Sequence, residues 1–294
     1  MFELEKIRKI KKLALIAVFS DDDLMDSLVL KGGNAIELIL NNLSRFSLDL
    51  DFSIPHDFSE FSKHDLKLKF EKVLTETFFQ EGYIVFDVTI FERPPMVSDD
   101  MKDFWGGFLI EFKVAETDVY NDYEHSLNEL RKRAVDTTAK MHKKFRIEIS
   151  KFEYCAEKQS IDLDGYTVFV YTPAMLFAEK LRAICQQMPE YGKIVKSESQ
   201  SPRGRDFFDL HLLENHFGID ITKKENLELL KTVFKAKHVP LSLIDELQKY
   251  REYHRDDFKV VENSVPEGVP LRSYDYYFDF VLTICEKLKA LGVK

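Results

Sequence analysis

The sequence predicts an α/β fold of the α+β kind, followed by a helical C-terminal region. Up to about residue 170, stretches with helical spacing of apolar residues are interleaved with stretches at strand spacing. Past Thr172 and Pro173 every periodic stretch is helical. Hydrophobic residues fill 45% of the 294 positions, enough for a core of that size. The expected organisation is a core domain over residues 1–170 and a helical domain over 171–294.

The elements follow in order. Leu4, Ile7, Ile10, Leu13 and Ala17 share one face of a helix over about 2–20. Its mixture of Lys and Arg with apolar residues lacks the long apolar centre and cleavage site of a secretion signal. Asp21, Asp22 and Asp23 read as a solvated break or a helix start. Residues 28–31 are a short strand, and Ala35, Ile36, Ile39, Leu40 and Leu43 mark a helix over 33–43. A strand over 47–53 ends before Pro55, and a helix runs from Lys63 to Gln80. Tyr83 to Glu92 and Phe108 to Ala115 read as a long hairpin. Pro94, Pro95 and a loop carrying Trp105, Gly106 and Gly107 separate its strands. Residues 121–142 are polar with weak helical periodicity; 145–150 alternate as a strand, and 166–171 form another. Thr172 caps a helix over 173–187 with Pro173 in its first turn. A polar stretch from Ser197 to Gly204 leads into a helix over 205–216. The remainder is helical apart from the loop Pro266 to Pro270.

Composition narrows the function classes. No apolar run is long enough to span a membrane. The formal charge of −9 excludes a molecule built as a whole to cling to nucleic acid. Basic clusters at Lys6 to Lys12, Arg131 to Arg133 and Lys140 to Arg146 are solvated helix faces or a local guide for a polyanion. Cys155, Cys185 and Cys285 are widely spaced and odd in number, as in a reduced cytoplasmic protein with structural thiols.

The chemistry concentrates at four places. Gly32 and Gly33 close a short apolar run and open a helix, where backbone N–H groups approach phosphate closely. Asp49 and Asp51 lie two apart on a strand, so both carboxylates share one face while Leu48, Leu50 and Phe52 take the other. Such a pair beside a glycine turn suits Mg²⁺ ions carrying a phosphate chain. A third carboxylate is expected from a neighbouring strand: Glu148 first, then Glu111, then Asp87. Lys180 lies on an amphipathic helix and supplies a mobile positive charge, while Arg182, two residues on, is expected to point elsewhere. Arg203 to His211 is dense in charge, and Asp206 and Asp209 are neighbours on one helix face. One of them is expected to fix Lys180 or an arginine, and one to face the substrate. His211 and His216 read as structural.

Leu30–Ala35, Arg45–Phe52, Ala178–Ala183 and Arg203–Leu210 together resemble the AbiEii/AbiGii toxin family, a branch of the polymerase β-type nucleotidyltransferase superfamily. Members usually carry Thr where this chain has Asn34. The resemblance implies a short mixed sheet flanked by helices, with the 83–115 hairpin and the 121–142 segment as insertions. It implies Mg²⁺-dependent transfer of a nucleoside monophosphate from an NTP, with two ions held by Asp49, Asp51 and Glu148. Gly32, Gly33, Asn34, Arg45, Ser47 and Lys180 then contact the nucleotide, and Asp206 completes the site. It further implies a toxin of a toxin–antitoxin or phage abortive-infection system, acting on a tRNA 3′ end, with an antitoxin protein as partner. Two other readings stay open: a small-molecule or protein hydroxyl as acceptor, and a nucleotide-binding module without catalysis.

Overall fold

The computed structural model describes residues 4–40, 44–58, 61–138, 141–196, 200–266 and 268–293. Leu43, Lys140 and the start of the Ser197 stretch lie outside the described residues. Helix α1 (Leu4–Phe19) buries Ile7, Ile10, Leu13 and Ala17 of the face its spacing predicts, while Leu4 at its start is exposed. Asp21 caps α2 (Asp22–Ser27) by accepting from the Leu24 N–H, so the aspartate triplet is a helix start. Strand β1 (Val29–Lys31) runs straight into α3 (Gly32–Ile39), and β2 (Leu50–Ser53) follows. Helix α4 (Lys63–Gln80) opens with a capping box between Ser62 and Asp65.

Strands β3 (Tyr83–Arg93) and β4 (Gly107–Glu116) pair antiparallel as the predicted hairpin. Two short helices, α5 (Thr117–Tyr123) and α6 (Leu127–Arg133), occupy much of the polar segment. Strand β5 (Phe145–Ser150) precedes a second hairpin, β6 (Gln159–Leu163) and β7 (Tyr166–Val170). Asp164 and Gly165 turn that hairpin, both at positive φ (54° and 86°). The sequence reading leaves β6 out because its residues are mostly polar, although Asp-Gly between strands is a hairpin signal.

The seven strands form one mixed sheet in the order β3-β4-β5-β2-β1-β7-β6. The first hairpin is part of that sheet: β4 ladders along β5 and extends it. The physical reason is burial, since β4 is buried from Gly107 to Phe112 and needs cover on both faces.

After β7 the described chain is helical: α7 (Pro173–Cys185), α8 (Gly204–Phe217), α9 (Lys224–Ala236), α10 (Arg251–Arg255), α11 (Phe258–Glu262) and α12 (Tyr274–Ala290), with 3-10 segments at Tyr191–Lys193 and Leu241–Tyr250. Thr172 accepts from the Met175 N–H and caps α7, whose residues from Met175 to Cys185 are all buried. Helix α7 packs on α3, α8 and α9, and one apolar cluster runs from Ile7 to Val293. Cys155, Cys185 and Cys285 are free and buried, and burial pushes each thiol up, two of them to about 12. No described helix is long and apolar enough to cross a membrane.

Candidate active site

A cavity of about 980 Å³ is lined by residues from the ends of β1, β2 and β5, from α7, and from the start of α8. Strand pairing brings its acidic end together. Strands β1 and β2 are antiparallel with Lys31 opposite Asp51. Strands β2 and β5 are parallel with Asp51 beside Glu148. Leu50 and Phe52 turn to the core, so Asp51 takes the open face. Asp49 lies one residue before β2 and also lines the cavity.

The glycine pair is shaped by these neighbours. Gly32 sits at φ +68°, and a Cβ there would stand 2.3 Å from Asp51 Oδ2. A Cβ on Gly33 would stand 2.7 Å from Ser47 Cβ and 2.8 Å from its Oγ. The segment before β2 is tied from two sides. Asn34 Nδ2 donates to the Asp49 carbonyl at 2.6 Å. Lys11 Nζ donates to the Ser47 carbonyl at 2.6 Å and to Glu37 Oε2 at 2.8 Å. Asn34 is buried and is not among the residues lining the cavity, so its amide is used inside the protein.

Burial dominates the acidic end. Burial, then the neighbouring Glu148 and Asp49, push the Asp51 carboxyl up to about 7, against the pull of Lys31. Burial also raises Asp49, and burial with Asp49 raises Glu148. These oxygens are hard donors whose charge Lys31, Arg146 and Arg205 offset only in part, which suits a divalent cation. Among the described residues no three acidic, His or Cys side chains are already gathered into a metal-holding group. Asp49, Asp51 and Glu148 thus stand as separate carboxylates along one wall of the cavity.

The alternatives for the third carboxylate lie elsewhere. Glu111 is buried and held by Lys144 at 2.5 Å and Arg146 at 3.2 Å. Asp87 sits at a bulge in β3, where hydrogen bonds from Arg131 lead in holding its carboxyl down at about 2, with Lys113 adding to them. Neither lines the cavity.

The basic wall is built from ion pairs. Lys180 Nζ lies 2.9 Å from Asp206 Oδ1 and 2.7 Å from Asp209 Oδ2, all three side chains being buried. Arg45 places its fork on Asp209 at 3.0 and 2.7 Å, and Arg203 bonds the other oxygen of Asp206. Burial alone would raise Asp206, but Arg203 and Lys180 hold it well below the carboxylate range. Both aspartates therefore fix cations, and it is Asp206 that also lines the cavity with Lys180, Arg45 and Ser47.

The sequence reading misses a second buried network on the cavity floor. Arg182 donates to Glu153 at 2.7 and 3.1 Å, Lys31 lies 3.3 Å from Glu153, and Lys237 lies 3.8 Å from it. Arg182 thus lines the cavity rather than pointing away, because α7 is buried all round and the cavity extends along it. Burial, opposed by Glu153 and aided by Arg182 and Lys31, brings Lys237 down to about 8. Lys31, a charge inside an apolar strand, is the readable signal; Glu153 and Lys237 have none.

A mixed sheet flanked by helices, with paired carboxylates facing a glycine turn at a helix start, defines a protein of the nucleotidyltransferase class of folds. The chain belongs to the nucleotidyl transferase AbiEii toxin family, described as a type IV toxin–antitoxin system, whose model matches residues 13–282. Among solved structures, a candidate nucleotidyltransferase from H. pylori is 18% identical, with a TM-score of 0.49 and 98% of each chain covered. JHP933 from Helicobacter pylori is 17% identical at a TM-score of 0.44, covering 99% of this chain and 100% of that one. An antigenic nucleotidyltransferase-like protein from Paracoccidioides brasiliensis is 14% identical at 0.36, covering 87% and 94%. No curated protein shows significant sequence similarity to the chain.

Proposed function

We propose that the protein transfers a nucleoside monophosphate from an NTP to an acceptor hydroxyl, with a tRNA 3′ end as the acceptor. The observation that carries this is Asp51, set against Gly32 on one side and paired in register with Glu148 on the other. The acceptor oxygen attacks the α-phosphorus, the bond to the β-phosphate oxygen breaks, pyrophosphate leaves, and the hydroxyl proton passes to solvent. Asp49, Asp51 and Glu148 would hold Mg²⁺, which when bound supplies charge neutralisation for the phosphates and a lowered pKa for the attacking hydroxyl. Gly32 and Gly33 let the phosphate chain approach the backbone at the start of α3, where the helix end favours an anion. Ser47 lies beside Gly33 as a further donor. Lys180 and Arg203 carry positive charge toward the phosphates, and Asp206 orients both.

The acceptor reading rests on charge. Arg93, Arg146, Lys196, Arg203 and Arg205 line the same cavity in a chain of formal charge −9. A basic mouth on an acidic molecule attracts a polyanion locally and leaves the rest of the surface repulsive. The family supports a role as the toxin of a toxin–antitoxin pair, with the antitoxin protein as partner. Three buried free thiols agree with a reducing cytoplasm.

The test is transfer of label from each α-labelled NTP to total tRNA in Mg²⁺, comparing wild type with the Asp49→Ala/Asp51→Ala protein. Label from wild type alone supports the reading and names the nucleotide. Equal labelling by the double variant, or none with either protein, rejects it.

A further inference from the structure

The cavity extends well past its carboxylates. Lys31, the register partner of Asp51, reaches Ser150 Oγ at 3.2 Å and Glu153 at 3.3 Å. Glu153 lies 3.8 Å from Lys237, whose Nζ lies 5.5 Å from the centroid of the Trp105 ring. Three side chains therefore connect the acidic end to an aromatic wall. Trp105 is half-buried, lines the cavity, and lies 6.2 Å from the Tyr191 ring.

That wall is fixed in place. The Trp105 N–H donates to the Met101 carbonyl at 2.9 Å, and the Lys151 N–H donates to the Gly106 carbonyl at 3.0 Å. Gly107 presses on β5 so closely that a Cβ would stand 2.2 Å from the Ile149 carbonyl oxygen. Tyr191 donates its hydroxyl proton to the Lys237 carbonyl at 2.7 Å and receives the Gln186 amide at 3.3 Å. Beside them, the buried Arg182 Nε lacks a hydrogen-bond partner among the described residues. A buried donor without a partner calls for an acceptor.

Flat aromatic surface edged by an amide and an unpaired donor is the chemistry that recognises a heteroaromatic base. We infer that Trp105 and Tyr191, with Gln186 and Arg182 at their edge, seat the nucleobase of the NTP whose phosphates lie at Gly32 and Gly33. This rests on the nucleotidyl-transfer reading above. It assigns base discrimination to the β3–β4 loop and the end of α7, apart from the catalytic carboxylates.

Trp105 is the only tryptophan in the chain, so its emission reports on the seat directly. The full-length protein is titrated in Mg²⁺ with each NTP and with inorganic triphosphate, with binding followed in parallel by equilibrium dialysis. The accepted NTP is expected to change Trp105 emission saturably, while inorganic triphosphate competes for binding without that change. Trp105→Ala should weaken NTP binding by about 5- to 100-fold and leave triphosphate binding unaltered. Trp105→Phe, which keeps a ring, should restore most of the loss, and Gln186→Ala should alter the preference among NTPs. An NTP that binds with silent emission, and equally well to Trp105→Ala, overturns the seat but leaves the transfer reading standing. Failure of both NTP and triphosphate to bind overturns the two together.

Discussion

Asp51 and Gly32 depend on each other. The carboxylate occupies the space where a side chain at position 32 would begin, and Gly32 also takes a positive φ. Gly32→Ala therefore meets Asp51 Oδ2 at 2.3 Å and adds left-handed strain of about 1–2 kcal/mol. The relief open to it is to displace Asp51. Transfer should fall by about 100-fold or more, while the melting temperature drops by only a few degrees. Single-turnover labelling beside a thermal melt checks this, and a variant with near-wild-type transfer contradicts the placement of Asp51 at the reaction. Asp51→Asn separates chemistry from fold more cleanly. It keeps the shape, removes a charge that its neighbours oppose, and should abolish transfer with circular dichroism unchanged. Full activity in Asp51→Asn would show that the metal is held elsewhere.

Helix α7 and the turn after β5 do a different job, holding buried charge in register. Glu153 faces Arg182, Lys31 and Lys237, with Glu179 also near the first two, and with the cations' help it stays ionised well below the carboxylate range despite burial. Glu153→Gln keeps the volume but leaves three buried cations without that charge. Breaking such a network costs about 3–5 kcal/mol, so chemical denaturation should show a loss of that order. A loss under about 1 kcal/mol would mean that water already reaches the cluster. These elements also show what a sequence can disclose. Helix α4 and the cap of α7 are local events, set by Ser62 with Asp65 and by Thr172 with Pro173, and they are readable residue by residue. The convergence of Gly32, Asp51 and Glu148 was approachable because short motifs and strand alternation report which face a side chain takes. Register is different. That Glu148 rather than Glu111 stands beside Asp51 depends on β2 lying parallel to β5, a pairing between segments nearly a hundred residues apart. Glu153, Lys237 and Trp105 meet through tertiary packing alone, and no spacing in the chain announces it.

Across the whole molecule, two buried groups give opposite responses to pH. Burial and like charge raise Asp51 to about 7 from 3.8. Between those values the folded protein binds the extra proton, so this group's contribution to stability falls as pH rises through 7. His254 behaves in the other sense. It is fully buried, its Nδ1 accepts from the Arg203 N–H at 3.0 Å, and burial lowers it from 6.5 to about 4. Here the unfolded chain binds the extra proton, so stability is present above 6.5 and is lost as pH falls toward 4. A tenfold change in proton affinity corresponds to about 1.4 kcal/mol, so each effect is on the order of several kcal/mol, and the two have opposite signs. Wild-type protein in chelator is therefore expected to lose less stability than the Asp51→Asn protein between about pH 8 and 4.5. Asp51→Asn removes the Asp51 part of that response, while Asp49 and Glu148 keep theirs. It should be more stable than wild type at pH 8, by about 2–4 °C in melting temperature for each kcal/mol relieved. On acidification it should then lose stability relative to wild type, as His254 resists protonation in the fold. Melts of both proteins across that range decide the matter. A wild-type profile that climbs steeply with pH while Asp51→Asn stays flat would reverse both assignments.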